Sequence, residues 1–264
     1  MNPKMTKQQA SVPVIVYAHS WPEARALEAY IAEYYDTPDA VRVCERVSTL
    51  LQVLQLTPKS PLILALNPHE YVNLLYALWP WLGNRRILFV GQSFNYTDRQ
   101  IPSFFISQQV TFYCWLQASE PSMKAQSGLL HFLHHTQESD LLPDAPYLSA
   151  VQRFECEAEL LMAINRYLLN RMFIHGVTAK EYEVILELLK PHGTSVQVMK
   201  RTRQMHPKTL SAHKLSALKK LGMSYHPVSV WSGLQVKAEL QQKRFTPTIC
   251  DEEQQSLPPI LRTG

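Results

Sequence analysis

The sequence lacks the features that mark disulfide-stabilised, zinc-binding and membrane-spanning proteins. Its four cysteines, Cys44, Cys114, Cys156 and Cys250, are widely separated and form no CxxC pair, the spacing that many zinc and redox sites share. No stretch reaches the roughly 18 consecutive apolar residues of a membrane helix, and the N-terminus is polar, without an apolar signal core. We therefore expect a cytoplasmic protein without a membrane partner.

Motifs that carry catalysis are also missing. The chain contains no P-loop, no nucleophile elbow and no paired-carboxylate site. His131, His134 and His135 stand at helical spacing and could ligate a metal, but no nearby Cys or carboxylate completes a ligand set before Glu138. We expect no catalytic residue, no cofactor and no metal, and hence no enzyme.

Acidic residues are absent from one long segment. Between Leu188 and Ala238 there is no Asp or Glu but there are nine Lys or Arg, so the segment carries +9 and leaves −5 for the rest of a chain of net charge +4. A basic surface of this kind suits a polyanion such as nucleic acid. A solvated basic face without any partner has the same composition, so charge alone leaves both interpretations open.

The N-terminal half alternates short apolar runs with helical patterns. Apolar residues at helical spacing mark residues 22–35, 47–56 and 70–82. This strand-helix-strand order predicts a parallel sheet with helices on both faces, which requires strands that are apolar throughout. Five strands are predicted, at residues 12–18, 41–44, 61–66, 86–91 and 110–116.

A long helix is predicted to connect this half to the rest of the chain. Residues 117–127 are polar, and a helical pattern follows over residues 148–173. An Asn within a heptad seam can fix the register of a paired coil, so the helix could pair with a second copy. Apolar residues on its other faces favour burial between two domains instead. The seam consists of Val151, Phe154, Ala158, Leu161, Asn165, Leu168 and Met172.

Residues 177–223 carry the start and stop signals of three helices. Thr178 and Glu181 form a capping box for the first helix, which is predicted to end before the next proline. Thr194 or Ser195 then caps a short second helix, whose N-terminal amides can face a phosphate.

The third helix begins at Pro207, whose missing amide proton suits the first turn of a helix, and it ends at Gly222. Its two faces differ. One face is apolar and turns inward, through Leu210, Ala217, Leu218 and Leu221. The other face offers lysines to phosphates and small residues that let a helix sit deeply in a major groove. It consists of Lys208, Ser211, Ala212, Lys214, Leu215 and Lys219.

This segment resembles the LuxR/FixJ-type helix-turn-helix over about 47 residues. The sequence departs from the family pattern at Lys200, Arg203 and His206, where the family usually has Ala, Leu and a capping Ser. The residues that carry the resemblance are Thr178, Glu181, Glu183 and Val184 in the first helix, Gly193 and Ser195 in the turn, Lys208, Thr209, Leu210 and His213 in the recognition helix, and the closing Lys220, Leu221 and Gly222.

The resemblance implies a set of DNA-binding residues. Ser211, Ala212 and Leu215 occupy positions that face the bases, while Thr209 and His213 occupy positions that face the backbone or support the fold. Phosphate contacts would come mainly from lysines, which strengthen binding without reading sequence. This last group is Lys208, Lys214 and Lys219, and the predicted second helix adds Thr194, Ser195 and Lys200.

Five strands alternating with helices ahead of a linker resemble a receiver domain, which such regulators often carry. A working receiver needs an acidic pair after its first strand and an Asp that accepts the phosphoryl group after its third. Here the first strand runs into His19 and Ser20, and the third ends at Asn67 without an Asp. Ser93 could supply the hydroxyl of such a site, but no Lys follows Leu116. We therefore predict a degenerate receiver that cannot accept a phosphoryl group.

The predicted fold is an α/β N-terminal domain, parallel, five-stranded and receiver-like, followed by an all-α C-terminal helix-turn-helix domain. We expect the receiver-like domain at residues 1–118, a linker and connecting helix at 119–174, the DNA-binding domain at 175–245 and a flexible tail at 246–264.

The predicted function is sequence-specific, phosphorylation-independent binding of double-stranded promoter DNA, as a homodimer or as a heterodimer with a related regulator. Two alternatives stay open. One is an interaction protein that modulates another response regulator and binds DNA only weakly by itself. The other is a sensor that holds a small molecule near Tyr71, Trp79 and Phe94.

Overall fold

The strands and helices follow the predicted order. The computed structural model describes residues 12–83, 85–106, 110–115, 124–134, 153–189, 206–223 and 227–242. A five-stranded parallel sheet is followed by a helical C-terminal part, which confirms the predicted fold class. We call the described residues up to 134 the sheet domain and those from 153 onward the helical domain. The strands are β1 (Val14–Ala18), β2 (Val41–Cys44), β3 (Leu62–Ala65), β4 (Ile87–Gly91) and β5 (Thr111–Cys114).

Helices connect the strands and build the whole C-terminal half. Among the residues described, none of them is long and apolar enough to cross a bilayer. They are α1 (Trp21–Tyr35), α2 (Val47–Leu56), α3 (Val72–Leu78), α4 (Tyr96–Gln100), α5 (Pro102–Phe105), α6 (Lys124–His134), α7 (Glu157–Ile174), α8 (Ala179–Leu188), α9 (Pro207–Lys220) and α10 (Pro227–Gly233), with short 3₁₀ turns at Pro38–Ala40, Pro68–Glu70, Trp79–Trp81 and Ala238–Leu240.

All neighbouring strands run parallel, in the order β2-β1-β3-β4-β5. Ile15 of β1 is in register with Arg42 of β2 on one side and Leu62 of β3 on the other. Every residue of β1, β3 and β4 is buried, as expected for strands that helices cover on both faces. Because the strands are parallel, the residues that follow them meet at one edge of the sheet, which we call the carboxyl edge.

Helices α1 and α6 cover one face of the sheet. Leu27 of α1 and Phe132 and Leu133 of α6 are buried in one core with alternate residues of the strands. The hydroxyl of Tyr35 donates a hydrogen bond to the carbonyl of Leu133 over 2.8 Å. The sequence analysis predicted no helix at residues 124–134, because the apolar face of α6 is short and follows a polar segment.

The core on the other face continues into the helical domain. Ile15 of β1 belongs to the same buried cluster as Leu160 and Leu168 of α7. The ring of Phe104 lies edge-on to that of Tyr167, with the centroids 5.4 Å apart. The two domains therefore share one hydrophobic core.

Helix α7 occupies the centre of this shared core. In the seam predicted over residues 148–173, Leu168 and Met172 are buried. Asn165 donates through Nδ2 to the carbonyl of Val236 over 3.0 Å and accepts from the amide of Val236 over 2.9 Å. Most of the described seam therefore packs within the chain, whereas Ala158 is exposed.

One helix of the sheet domain is shorter than the periodicity predicts. The helix expected at residues 70–82 ends at Leu78, because Pro80 has no amide proton to continue the hydrogen-bond ladder and a 3₁₀ turn follows. Helix α10 ends at Gly233. A β-carbon on Gly233 would lie 2.9 Å from the β-carbon of Asn95, so only glycine allows α10 to approach α4 this closely.

Candidate nucleic-acid interface

The first helix of the predicted helix-turn-helix begins with the capping box read from the sequence. The hydroxyl of Thr178 accepts from the amide of Glu181 over 3.3 Å, and the carboxylate of Glu181 accepts from the amide of Thr178 over 2.7 Å. Helix α8 starts at the next residue, Ala179. The two bonds satisfy amides that the first turn of a helix leaves without partners.

Glu181 also anchors α9 to α8. Its carboxylate accepts from Nζ of Lys220 over 2.7 and 2.9 Å and from the hydroxyl of Ser216 over 2.6 Å. Nζ of Lys220 donates as well to the carbonyl of Gly176 over 2.8 Å. Burial opposes ionisation of Glu181, but the hydrogen bonds from Lys220, Ser216 and Thr178 outweigh it and lower the pKa of its carboxyl to about 2. Glu181 is therefore a carboxylate at neutral pH and holds α9 by charge.

Both ends of α9 are defined by local hydrogen bonds. Although His206 departs from the family pattern, its Nδ1 accepts from the amide of Lys208 over 3.3 Å and caps the helix. At the other end, the amide of Met223 donates to the carbonyl of Leu218 over 2.9 Å, and Gly222 adopts φ +65°. This is a Schellman motif, in which glycine takes the left-handed position without steric cost.

Helix α9 presents the two faces predicted from the sequence. Its apolar face is buried, with Leu210, Ala217, Leu218 and Leu221 at most 7% exposed. On the opposite side, four exposed residues lie at positions i, i+4, i+7 and i+11, one line along the helix about 17 Å long. We call these four residues, Lys208, Ala212, Leu215 and Lys219, the α9 stripe.

The remaining predicted contact residues differ in exposure. Thr209 is exposed beside the α9 stripe, whereas Ser211, His213 and Lys214 are half-buried at its margins. Lys220, although also basic, is engaged with Glu181 and does not belong to the stripe. Three further predicted residues, Thr194, Ser195 and Lys200, lie outside the described residues, as does the predicted tail at 246–264.

The α9 stripe is open to solvent in the presence of the sheet domain. Leu215 is 56% exposed, a large value for a leucine in a helix packed into a core. The sheet domain instead meets the helical domain through α7, α10 and residues 237–242. The described part of the sheet domain therefore leaves the α9 stripe exposed.

At the carboxyl edge of the sheet, the described residues directly after β1 and β3 are not carboxylates. His19 follows β1, and its Nδ1 forms a hydrogen bond with the hydroxyl of Tyr71 over 2.9 Å. Asn67 follows β3, as read from the sequence. A carboxylate does lie in this region, that of Asp98, but it is buried, with 1% of the residue exposed. It forms a capping box with Asn95 at the start of α4.

Asp98 is held by a histidine that the sequence interpretation missed. Its Oδ1 lies 2.6 Å from Nδ1 of His69 and accepts from the amide of His69 over 3.0 Å, while its Oδ2 accepts from the amide of Asn95 over 3.0 Å. Asn95 and Asp98, three residues apart, are a pattern from which the sequence could have predicted the start of α4. The pairing with His69, 29 residues away, had no local signal.

Comparisons with known proteins agree with this architecture. No family model matches the chain, and no curated protein matches it. Among solved structures, the two-component response regulator RcsB in complex with DNA covers 84% of this chain and 97% of its own, at 16% identity and a TM-score of 0.50. A structure of two RcsB dimers bound to two parallel DNAs gives the same coverage, 17% identity and a TM-score of 0.52. Full-length FixJ from B. japonicum covers 86% of this chain at 11% identity, with a TM-score of only 0.30.

At these identities the similarity concerns the fold. It confirms the resemblance drawn from the sequence at that level, since the RcsB structures match the sheet domain and the helical domain together. The chain therefore shares the overall fold of the RcsB structures.

Proposed function

We propose that this chain is a sequence-specific transcription regulator that binds double-stranded promoter DNA through α9. The α9 stripe carries the proposal: two lysines and two apolar residues form an exposed line on a helix that the Glu181–Lys220 pair holds rigidly. No acidic residue lies in the sequence from 188 to 238, so nothing on this helix repels a phosphate backbone. The RcsB structures of the same fold were determined on DNA, which supports the proposal.

The residues of α9 divide into two roles. Lys208, Lys214 and Lys219 contact phosphates and set affinity, because their flexible ammonium groups recognise charge without reading bases. Ser211, Ala212 and Leu215 contact base edges and thymine methyls, and so set sequence preference. Thr209 and His213 support the backbone contacts, and the second helix contributes Thr194, Ser195 and Lys200.

We further propose that the protein acts as a dimer and without phosphorylation, in the cytoplasm where the DNA lies. The comparison structure of RcsB dimers on DNA supports the first point, with either a second copy or a related regulator as the partner. Asn67 at the end of β3 and the occupied carboxylate of Asp98 support the second. Dimeric binding and independence from phosphorylation fit a DNA-binding regulator, and we propose no enzymatic activity for this chain.

A salt series of binding measurements tests the role of α9. Lys208→Ala and Lys219→Ala are expected to weaken binding to all duplexes alike and to lower the slope of log affinity against log salt by about one each. Leu215→Ala is expected to change the preference between duplexes of different sequence. Lys59→Ala, an exposed lysine of the sheet domain, is the matched control and leaves the slope unchanged.

Two outcomes would contradict the proposal. Unchanged slopes in both α9 lysine variants would remove α9 from the interface. No binding by the chain alone, with binding restored by a co-purified regulator, would favour the interaction protein over the independent DNA-binding protein.

A further inference from the structure

The last described segment of the chain returns to the sheet domain. We call residues 237–242 the strap. The side chain of Gln241 is buried, accepts through Oε1 from the amide of Val72 over 3.1 Å and donates through Nε2 to the carbonyl of His69 over 2.8 Å. The amide of Gln242 donates to the carbonyl of Glu70 over 2.9 Å. The strap therefore binds the backbone of the turn that follows β3.

This turn lies at the carboxyl edge of the sheet, where parallel α/β sheets place their functional groups. In this chain the strap and α4 cover the edge beside β3. The strap binds the carbonyl and amide groups of the turn, and Asp98 binds the amide of His69 together with its ring. His69 is therefore held by the helical domain on one side and by α4 on the other.

Helix α4 is in turn bound to the helical domain. The hydroxyl of Thr97 donates to the carbonyl of Gly233 at the end of α10, and both groups are buried. Together the contacts close a circuit that runs from Gln241 to His69, to Asp98 in α4, through Thr97 to Gly233, and along the chain back to the strap. Each member of this circuit joins the two domains or supports a residue that does.

We propose that this circuit is a latch that locks the helical domain onto the sheet domain and that loosens when His69 loses its proton. The imidazole of His69 is the group of the circuit whose ordinary pKa lies closest to neutrality. Its ring is 7% exposed, so water contributes little to solvating the charge.

The charged groups around His69 stabilise its protonated form. Asp98 faces Nδ1 from α4, and Oε1 of Glu70, in the same turn, lies 3.7 Å from Nε2. The strap brings neutral Gln241, while Lys237 holds its ammonium 3.4 Å from the centre of the Trp231 ring. On the β1 side, His19 is bound to the hydroxyl of Tyr71.

The balance of these groups gives the direction of the effect. Burial lowers the pKa of His69, but the hydrogen bond and charge of Asp98 and the charge of Glu70 outweigh it, and the pKa is raised above 6.5. A raised pKa in the folded state means that the stabilisation is complete below the unfolded value and is lost as the pH rises through the folded value. The latch is therefore tighter under mildly acidic conditions than under alkaline ones.

Hydrogen exchange of the full chain tests the latch without reference to DNA. After correction for the intrinsic pH dependence of exchange, protection of the amides of Val72 and Gln242 is expected to fall about threefold or more between pH 6 and pH 8.5, while amides of β1 are unaffected. His69→Gln removes the pH dependence. Gln241→Ala lowers protection at every pH, because it removes the bridge while His69 and Asp98 stay in place. Glu239→Gln, an exposed change in the strap, is the control.

Three results would overturn the proposal. In the first, the protection of the Val72 and Gln242 amides in the unaltered chain does not change with pH. In the second, this protection still depends on pH in His69→Gln. In the third, Gln241→Ala leaves the protection of both amides unchanged. Asp98→Asn can disturb folding because Asp98 caps α4, so the decision does not depend on that variant.

Discussion

The pair of Glu181 and Lys220 offers the sharpest test of how α9 is held. Glu181→Gln keeps the size of the side chain, but it removes the charge that binds Lys220 and leaves one acceptor oxygen in place of two. Because Glu181 joins the start of α8 to the last turn of α9, the change is expected to lower the free energy of unfolding and to loosen α9.

The size of the effect follows from the burial of the pair and from the pKa of Glu181. The lowering of the Glu181 pKa from its ordinary 4.5 to about 2 sets an upper limit of about 3 kcal/mol on the stabilisation at neutral pH. The side chain of Lys220 is 33% exposed, so water screens the pair and solvates the ammonium once the carboxylate is gone. We therefore expect Glu181→Gln to cost about 2 kcal/mol at pH 7.

Urea unfolding at several pH values measures this cost and its origin. The folded-state pKa of Glu181 is depressed, so its contribution is present above pH 4.5 and is lost as the pH falls towards 2. The difference between the unaltered chain and Glu181→Gln should shrink over that window. Glu183→Gln, an exposed change of the same type on α8, is the control and should cost less than about 0.5 kcal/mol.

A difference between the two chains that is the same at pH 7 and pH 3 would mean that the charge of Glu181 contributes nothing to stability. Equal costs of Lys220→Met in the Glu181→Gln background and in the unaltered chain would contradict the pairing as well. Such additivity means that the two residues do not interact.

Three further substitutions test the packing of the helical domain. Leu218→Ala removes a side chain that is 1% exposed between α8 and α9 and should cost about 3 kcal/mol in urea unfolding, whereas Leu215→Ala on the exposed face should cost less than about 1 kcal/mol. Gly222→Ala should lower the thermal midpoint by the equivalent of about 1 kcal/mol, because φ +65° strains any residue with a β-carbon. A midpoint that does not move would show that the helix end rearranges. Asn165→Ala leaves the amide and carbonyl of Val236 without their partner and should cost about 2 kcal/mol. A cost smaller than that of Met162→Ala, at an exposed position of α7, would contradict the role of Asn165 in holding the segment around Val236 against α7.

Local signals in the sequence located most elements of the fold. Apolar runs bounded by helical patterns predicted the five strands, since strands buried on both faces have no polar positions to alternate with. Thr178 and Glu181 marked the start of α8, and Pro207 and Gly222 marked the limits of α9, because capping and backbone conformation depend on residues a few positions apart. The same logic missed α6, whose apolar face is short and follows a polar segment.

Local signals do not determine which lysines of α9 are exposed. Periodicity separated the buried Leu218 from the exposed Leu215 correctly. It could not show that Lys219 is open to solvent while its neighbour Lys220 is bound to Glu181, 39 residues away. Both lysines have the same charge and the same helix propensity, so only the packing of α8 against α9 distinguishes them.

The sequence alone determined the order of strands and helices, the limits of α9 and the absence of an Asp after β3, because each depends on neighbouring residues or on composition. The tertiary structure decided how the two domains meet. His69 finds Asp98 across 29 residues and Gln241 across 172, and such partners are chosen by the packing of the whole chain and by the need of buried polar groups for hydrogen bonds. No local pattern carries that information.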